Sequence, residues 1–168
     1  MEKHNISILC MQETHVSESQ HFVQDGYLVI LSGALAATPG YLYSGVGFMI
    51  APSAVHSVIS FKLLGDRLAT IRIKVSGGIL NIMSAYAPHA GKAYEERKSL
   101  FDSVAKAWTP YGNHNCTIAL GDFNTRLGER LPGEDDVVGP YVVSVNPNSN
   151  RELLIETCWE TRSIIANT

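Results

Sequence analysis

The sequence predicts an α/β (α+β) fold in which mixed β-sheets are stacked as a sandwich flanked by helices. Short apolar runs recur along all 168 residues, only two segments carry a helical period, and several runs follow one another with no helix between them. A regular alternation of strands and helices would require a helix after each strand, so this pattern argues against such a fold. We expect one partial, truncated domain over residues 1–168, because apolar runs lie close to both ends of the sequence.

Eight apolar runs, most of strand length and bounded by Gly, Pro, Asn or Ser, are the candidate strands. In chain order they are Ile6–Met11, Tyr27–Leu31, Gly45–Ile50, Val55–Phe61, Leu68–Val75, Ile79–Ala85, Thr117–Leu120 and Ser163–Ala166. The fifth run alternates apolar and polar residues from Thr70 onward, and Gly77-Gly78 can form a tight turn into the sixth. These two runs are therefore predicted to form a hairpin.

Two segments have the 3.6-residue period of an amphipathic helix. Tyr94–Trp108 places Leu100, Phe101 and Val104 on one side and ends just before Pro110, and Arg151–Thr161 is a shorter case. The segment between Arg126 and Asn150 contains three Gly and three Pro. It is predicted to be a long surface loop in which Asp135 and Asp136 form a solvated acidic turn.

The composition is that of a globular protein, with 45% apolar and 17% charged residues. No apolar run approaches the roughly 18 residues that span a bilayer, and the first residues lack the apolar part of a signal peptide. We expect an intracellular, nuclear protein that has no membrane partner. The three cysteines, Cys10, Cys116 and Cys158, lack metal-binding spacing and are predicted to be buried free thiols.

The formal net charge of −3 provides no general attraction for nucleic acid. A nucleic-acid partner would therefore need a local basic rim or a bound cation. Arg126 is the first candidate for a phosphate contact, because it lies two residues after Asn124, the last residue of the polar motif Gly121-Asp122-Phe123-Asn124. Arg67 and Arg130 are further candidates. An exposed loop arginine near Glu129 is an equally acceptable interpretation of Arg126.

Polar residues follow three of the predicted strands. They are Gln12-Glu13, Tyr86-Ala87-Pro88 and Gly121-Asp122-Phe123-Asn124. Asp122 and Asn124 lie on the same side of extended backbone, and a carboxylate with an amide can hold a hydrated cation and a phosphoryl oxygen. Glu13 would complete a minimal metal site, although spacing alone fits an ordinary turn at Asp122 equally well.

The order of these three motifs resembles the endonuclease/exonuclease/phosphatase superfamily of metal-dependent phosphoesterases. The resemblance covers nearly the whole chain and is greatest to the endonuclease domains of non-LTR retrotransposons and to host proteins similar to craniofacial development protein 2. It includes the segments Gly45-Val46-Gly47-Phe48, Asp66-Arg67-Leu68-Ala69, Asn150-Arg151-Glu152-Leu153-Leu154 and Ile165-Ala166-Asn167-Thr168.

The resemblance implies a role for each motif residue. Glu13 corresponds to the glutamate that binds the divalent metal, which would be Mg²⁺ or alternatively Mn²⁺, and Tyr86 to the tyrosine that positions the scissile phosphate. Asp122 corresponds to the aspartate beside the attacking water or leaving oxygen, and Asn124 to the phosphate-binding asparagine. The implied activity is a DNA endonuclease, a phosphodiesterase that nicks DNA.

Several family motifs are absent from this sequence. They are an early strand carrying an asparagine, a late Ser-Asp-His triplet, and a further late aspartate. We therefore expect these 168 residues to nick DNA poorly or not at all by themselves. Two alternatives stay open, namely an inactive fragment that serves as a binding or structural module, and a phosphatase or RNA nuclease of the same superfamily. The target DNA sequence and the oligomeric state do not follow from the sequence.

Overall fold

The strands and helices are distributed between two compact units of the chain. The computed structural model describes residues 1–33, 44–109 and 115–168. Of these, the first unit holds the residues up to 86 together with 115–122, and the second unit holds 87–109 and 123–168. Two compact units can belong to one domain, so the expectation of a single partial domain stays a prediction.

The first sheet is antiparallel. Its strands are β1 (Ile8–Gln12), β2 (Gln20–Gln24), β3 (Tyr27–Ser32) and β4 (Val46–Ile50), arranged in the order β1-β4-β3-β2. Strand β2 was not predicted, because it is an exposed edge strand with few apolar residues. Asp25 and Gly26, with φ of 51° and 81°, form the two-residue turn from β2 to β3. Asp-Gly is a strong sequence signal for this type of turn.

The second sheet is mixed. Its strands are β5 (Val58–Leu63), β6 (Leu68–Val75), β7 (Gly78–Tyr86) and β8 (Asn115–Asp122), in the order β5-β6-β7-β8. The hairpin between β6 and β7 is confirmed, and because Val75 pairs with Gly78 the turn is formed by Ser76 and Gly77. Strands β7 and β8 run parallel, so both end at the same edge of the sheet.

The two sheets pack face to face and enclose the core of the first unit. Apolar side chains from both sheets share one buried cluster, which contains Ile30, Val46, Phe48, Ile50, Ala69, Ile71, Ile73 and Ile82. Burying a side chain of this size stabilises the fold by about 1.5–3 kcal/mol relative to leaving it in water. The predicted sandwich of stacked sheets is thereby confirmed.

The second unit contains two helices that pack on each other, α1 (Tyr94–Ala107) and α2 (Arg151–Thr161). The segment from 126 to 150 is only partly the surface loop that was predicted. Asp135 and Asp136 are exposed as expected, but Val137 and Val138 are buried in a cluster with two residues of α2, Ile155 and Cys158. Because this segment supplies apolar side chains to a core, it follows a fixed path over α2.

The predicted strand Ser163–Ala166 is wrong. Arg162 has φ of 52° and ends α2 in a left-handed conformation, and after it only Ile165 forms an isolated bridge, to Val138. Neither α1 nor α2, nor any other helix in the part of the chain that the structure describes, has the length and apolar character needed to cross a membrane.

All three cysteines are free thiols, but only Cys158 is fully buried. Cys10 is half-buried, and burial raises the pKa of its thiol to about 12. Cys116 is exposed, so the prediction of a buried thiol is wrong there. The reason is its position on β8, an edge strand whose even-numbered side chains are exposed.

Candidate active site

Glu13 lies in a turn that leaves the end of β1. Its φ is 53°, a left-handed conformation that takes the chain out of the sheet. The amides of the next two residues anchor the turn, because Thr14 N donates to Gly45 O at 3.1 Å and His15 N donates to Ser44 O at 3.0 Å. Gly45 has φ of 105°, and a Cβ there would overlap the Thr14 hydroxyl. Glycine is therefore required beside the turn that carries Glu13.

Tyr86 is the last residue of β7 and contacts Glu13 directly. The Tyr86 hydroxyl donates a hydrogen bond to Glu13 Oε1 at 2.5 Å. This bond is the largest cause of a raised pKa at Tyr86, followed by partial burial and by the negative charges of Glu13 and Asp122. Each of these favours the neutral phenol over the phenolate, so Tyr86 keeps its proton at neutral pH.

Ser84, two residues before Tyr86 on the same face of β7, connects this strand to β1. Its hydroxyl accepts a hydrogen bond from Gln12 Nε2 at 3.0 Å and donates one to Met11 O at 3.1 Å. Ser84 is fully buried, so both bonds are shielded from water. They hold the end of β1 against β7 immediately before Glu13.

Arg67 packs against the other side of Tyr86. Its guanidinium lies over the tyrosine ring, 5.1 Å from the ring centre, and Nη1 donates to Tyr86 O at 3.5 Å. The main chains are also joined, because Tyr86 N donates to Arg67 O at 2.9 Å. The positive charge lowers the Tyr86 pKa, but less than Glu13 and burial raise it. Arg67 was predicted from the sequence as a candidate for a phosphate contact, and its stacking on Tyr86 was not predicted.

Asp122 is the last residue of β8 and the register partner of Tyr86 in the parallel pair. Register partners direct their side chains to the same face of a sheet, so Asp122 is exposed on the face that carries Tyr86. The preceding residue, Gly121, lies opposite Ala85, and a Cβ added to it would lie 1.9 Å from Ala85 O. Gly121 thus allows the close approach of the neighbouring strand.

Asn124 lies in the second unit, in a left-handed conformation with φ of 47°. Its Nδ2 donates to Ala87 O at 2.7 Å. Its main-chain oxygen accepts hydrogen bonds from Asn148 Nδ2 at 2.8 Å and Asn150 Nδ2 at 3.1 Å. Both the backbone and the side chain of Asn124 are therefore fixed within the second unit.

Arg126 is exposed on a groove of about 960 Å³ that lies in the second unit. The groove is also lined by Leu127, Val145, Pro147 and Asn148. The main chain of Arg126 pairs with Asn148, since Arg126 N donates to Asn148 Oδ1 and Asn148 N donates to Arg126 O, both at 3.2 Å. The backbone at Arg126 is thus held while its side chain extends into solvent.

Arg151 orders the segment before α2. It donates to Leu127 O at 2.6 Å and to Glu129 O at 3.1 Å, and two of its nitrogens bind the Glu134 carboxylate at 2.6 and 2.8 Å. Arg151 and Glu134 are both buried. Arg130, the other loop arginine considered for phosphate, forms an ion pair with Asp135 at 3.2 Å.

Two residues that sequence reasoning did not assign to the site, Asn148 and Asn150, bind the main chain of Asn124. The available signal was the triplet Asn148-Ser149-Asn150 directly before a predicted helix, where asparagine ordinarily caps the helix. The Asn150 side chain makes no capping bond. It is used instead to bind neighbouring segments.

The carboxylates fit a sparsely liganded cation. Within residues 1–33, 44–109 and 115–168, no three His, Cys, Asp or Glu side chains are grouped as metal ligands. Mg²⁺ is commonly held by only one or two carboxylates and keeps several waters. Glu13 is exposed and uses one oxygen for Tyr86, so its second oxygen could serve as such a ligand. The donor set is therefore compatible with a mostly hydrated Mg²⁺.

The two stacked sheets and the two helices together form an α+β sandwich. The chain is similar in structure to the AP endonuclease LMAP from Leishmania major, with a TM-score of 0.64 and 17% identity over 96% of this chain and 59% of that one. This chain thus spans 59% of that protein's length. At this identity the similarity establishes the fold.

A second solved structure matches over a smaller part of the chain. It is the inositol polyphosphate 5-phosphatase domain of SPsynaptojanin, at 15% identity and a TM-score of 0.33, over 61% of this chain and 33% of that chain. No protein-family model matches the sequence, and no curated protein sequence does so. The closer resemblance to non-LTR retrotransposon endonucleases stays a prediction.

Proposed function

We propose that this protein is a Mg²⁺-dependent phosphodiesterase that nicks DNA in the nucleus, in the manner of non-LTR retrotransposon endonucleases. The observation that carries the proposal is the 2.5 Å hydrogen bond from Tyr86 to Glu13, with Asp122 as the register partner of Tyr86. These residues follow or end three different strands. Unrelated turns are not expected to bring their polar side chains together at one end of a sandwich, so this convergence favours a shared site.

The residues of the first unit suit the chemistry of phosphodiester hydrolysis. Glu13 would hold the Mg²⁺, which when bound supplies positive charge that stabilises a developing phosphoryl oxyanion. Tyr86, kept protonated by its raised pKa, would turn its single O–H from Glu13 to a phosphoryl oxygen of the substrate and position the phosphate. Asp122 would accept a hydrogen bond from the attacking water and orient it for in-line attack.

Contacts to the phosphate and the flanking DNA are assigned to Asn124 and Arg126. The Asn124 amide carries two hydrogens, and we assign one of them to a phosphoryl oxygen. Arg126 would contribute the local positive charge that a chain of net charge −3 requires for DNA. The open groove beside Arg126 supports this assignment, because it leaves the guanidinium accessible.

A binding module without catalytic activity is the second candidate. The observation in its favour is that the part of the chain that the structure describes holds no group of three metal-ligating side chains. Glu13 alone would bind a cation weakly. Under this hypothesis the same surface would bind a phosphate-containing partner and leave it intact.

Nicking of supercoiled plasmid with and without Mg²⁺ tests the proposal. We expect slow but Mg²⁺-dependent relaxation, abolished by Asp122→Ala and unchanged by Asp136→Ala, which alters an exposed loop carboxylate. Calorimetric titration with Mg²⁺ should show weakened binding for Glu13→Gln and unchanged binding for Glu18→Gln. Nicking that survives both EDTA and Asp122→Ala would rule the assignment out. DNA binding with no cleavage under any condition would favour the binding module.

A further inference from the structure

Asn150 has an unusual set of partners for a residue at the start of a helix. It is completely buried directly before α2. Its Nδ2 donates to three main-chain oxygens, those of Pro88 at 2.9 Å, Phe123 at 3.2 Å and Asn124 at 3.1 Å. Its Oδ1 accepts from Arg97 Nη1 at 3.1 Å. One buried amide thus joins Pro88 of the second sequence motif to Phe123 and Asn124 of the third.

The chemistry of these partners fixes the orientation of the Asn150 amide. Carbonyl oxygens can only accept hydrogen bonds and a guanidinium can only donate them, so Nδ2 must face the carbonyls and Oδ1 must face Arg97. Aspartate has the same shape but no donor for the carbonyls. Asn150→Asp would therefore remove the donors, while the negative charge of the new carboxylate would be paired with Arg97.

Asn148 provides a second amide donor to the same residue. Its Nδ2 donates to Asn124 O at 2.8 Å, and its Oδ1 accepts from the main-chain nitrogen of Asn150 at 3.2 Å. The Asn124 carbonyl therefore receives two side-chain amide donors. A left-handed conformation is uncommon for residues other than glycine and persists where surrounding contacts hold it.

We propose that Asn148 and Asn150 are positioning residues that hold Asn124 in its left-handed conformation. With the backbone fixed, the Asn124 amide stays against Ala87 O, where one N–H is engaged and the group has a single orientation. The assignment of Asn124 to phosphate rests on the proposed function. The way in which Asn124 is held does not rest on it, so the two can be tested separately.

The first test measures the Asn124 backbone by NMR in the intact 168-residue chain. Asn150→Asp should shift the Cα, Cβ and carbonyl resonances of Asn124 away from left-handed values, whereas Asn146→Asp, which makes the same change on an exposed side chain, should not. Unchanged Asn124 resonances in Asn150→Asp would overturn the proposal, as would equal shifts in both variants. If Asn150→Asp does not fold, Asn148→Ala, which removes the half-buried amide that donates to Asn124 O, decides on the same criterion.

The second test separates positioning from general stability through kinetics. Asn150→Asp should lower kcat for nicking by roughly 10- to 100-fold with little change in KM, the effect of a misplaced catalytic contact. In an Asn124→Ala background the same substitution should have no further effect, because the group it positions is absent. Additive losses would overturn a positioning role. If Asn124→Ala alone leaves nicking unchanged, the phosphate role fails while the NMR result still decides how Asn124 is held.

Discussion

The Tyr86 hydroxyl and the Glu13 carboxylate form a hydrogen bond of 2.5 Å between the two sheets of the first unit, since β7 belongs to one sheet and β1 to the other. Two hydrogen bonds of the buried Ser84 side chain, with Gln12 and Met11, hold the same two strands together just before Tyr86 and Glu13 in the chain. The position of Glu13 is therefore determined by packing between sheets. This arrangement places an exposed carboxylate at a fixed distance from a protonated phenol.

The Tyr86 hydroxyl should matter for cleavage more than for folding. Tyr86→Phe removes the donor and keeps the ring under Arg67, so the packing should persist. If this hydroxyl binds the phosphate in the transition state, kcat for nicking should fall about 100-fold. Tyr94→Phe is a matched control, because Tyr94 also lies under an arginine and is exposed. Equal rates for the two variants would remove Tyr86 from the mechanism.

The ionisation of Tyr86 should depend on Glu13. The absorbance difference at 295 nm between the parent and Tyr86→Phe isolates this residue, and it should titrate above the ordinary value of 10.0. Because the folded pKa is raised, the stability contributed by this bond is complete below pH 10 and is lost as pH rises through the folded pKa. Glu13→Ala should lower the Tyr86 pKa, whereas Glu2→Ala, which removes the carboxylate bound to the Tyr27 hydroxyl, should not. A midpoint unmoved by Glu13→Ala would contradict the hydrogen bond.

Local sequence signals account for the elements that were predicted well. The alternation in Leu68–Val75 and the helical period in Arg151–Thr161 gave both elements with their observed bounds. Strand β2 has no such signal, because all five of its residues are exposed at a sheet edge. Ser163–Ala166 is apolar without being a strand, because Arg162 turns the chain and only Ile165 meets Val138.

The candidate site was predictable where it depends on strand ends and not where it depends on long-range hydrogen bonds. Tyr86 and Asp122 end apolar runs that pair in one sheet, so their proximity could be inferred from strand ends, whereas Glu13 meets Tyr86 through packing between the two sheets. Asn150 binds Pro88, which is 62 positions away, and nothing in its neighbours indicates that partner. The roles of the predicted residues in catalysis stay predictions.

Gly121 should tolerate no side chain. A Cβ there would meet Ala85 O at 1.9 Å, and the φ of 153° is already unfavourable for other residues. Gly121→Ala should therefore separate the ends of β7 and β8, lower the free energy of unfolding by about 3 kcal/mol or more, and displace Asp122 from Tyr86. Gly65→Ala is the control for conformation alone, because Gly65 has φ of 117° and open space around it. It should cost only about 1–3 kcal/mol.

Thermal unfolding followed by circular dichroism in the strand region measures both glycine variants. The decisive quantity is the difference between the two unfolding midpoints. Both substitutions place a side chain on a backbone with positive φ, but only the one at Gly121 meets a neighbouring backbone. Similar midpoints would mean that β7 and β8 do not approach as closely at Gly121 as described.

The buried ion pair between Glu134 and Arg151 should make the second unit sensitive to acid. Arg151 binds the Glu134 carboxylate through two nitrogens, and Leu131 N donates to it at 2.8 Å. The hydrogen bond from Arg151 is the largest cause that lowers the Glu134 pKa below its ordinary value of 4.5. A lowered folded pKa gives stability that is present above pH 4.5 and is lost as pH falls through the folded value.

Glu134→Gln should lower the free energy of unfolding by about 3 kcal/mol at pH 7, because it leaves the Arg151 charge buried without its partner. Asp135→Asn, which removes an exposed ion pair with Arg130, should cost less than about 1 kcal/mol. Urea unfolding followed by tryptophan fluorescence reports the second unit specifically, since Trp108 and Trp159, the two tryptophans of the sequence, both lie in it. The parent should lose stability below pH 4.5 more steeply than Glu134→Gln. Parallel pH profiles for the parent and Glu134→Gln would show that the carboxylate does not couple acid to unfolding.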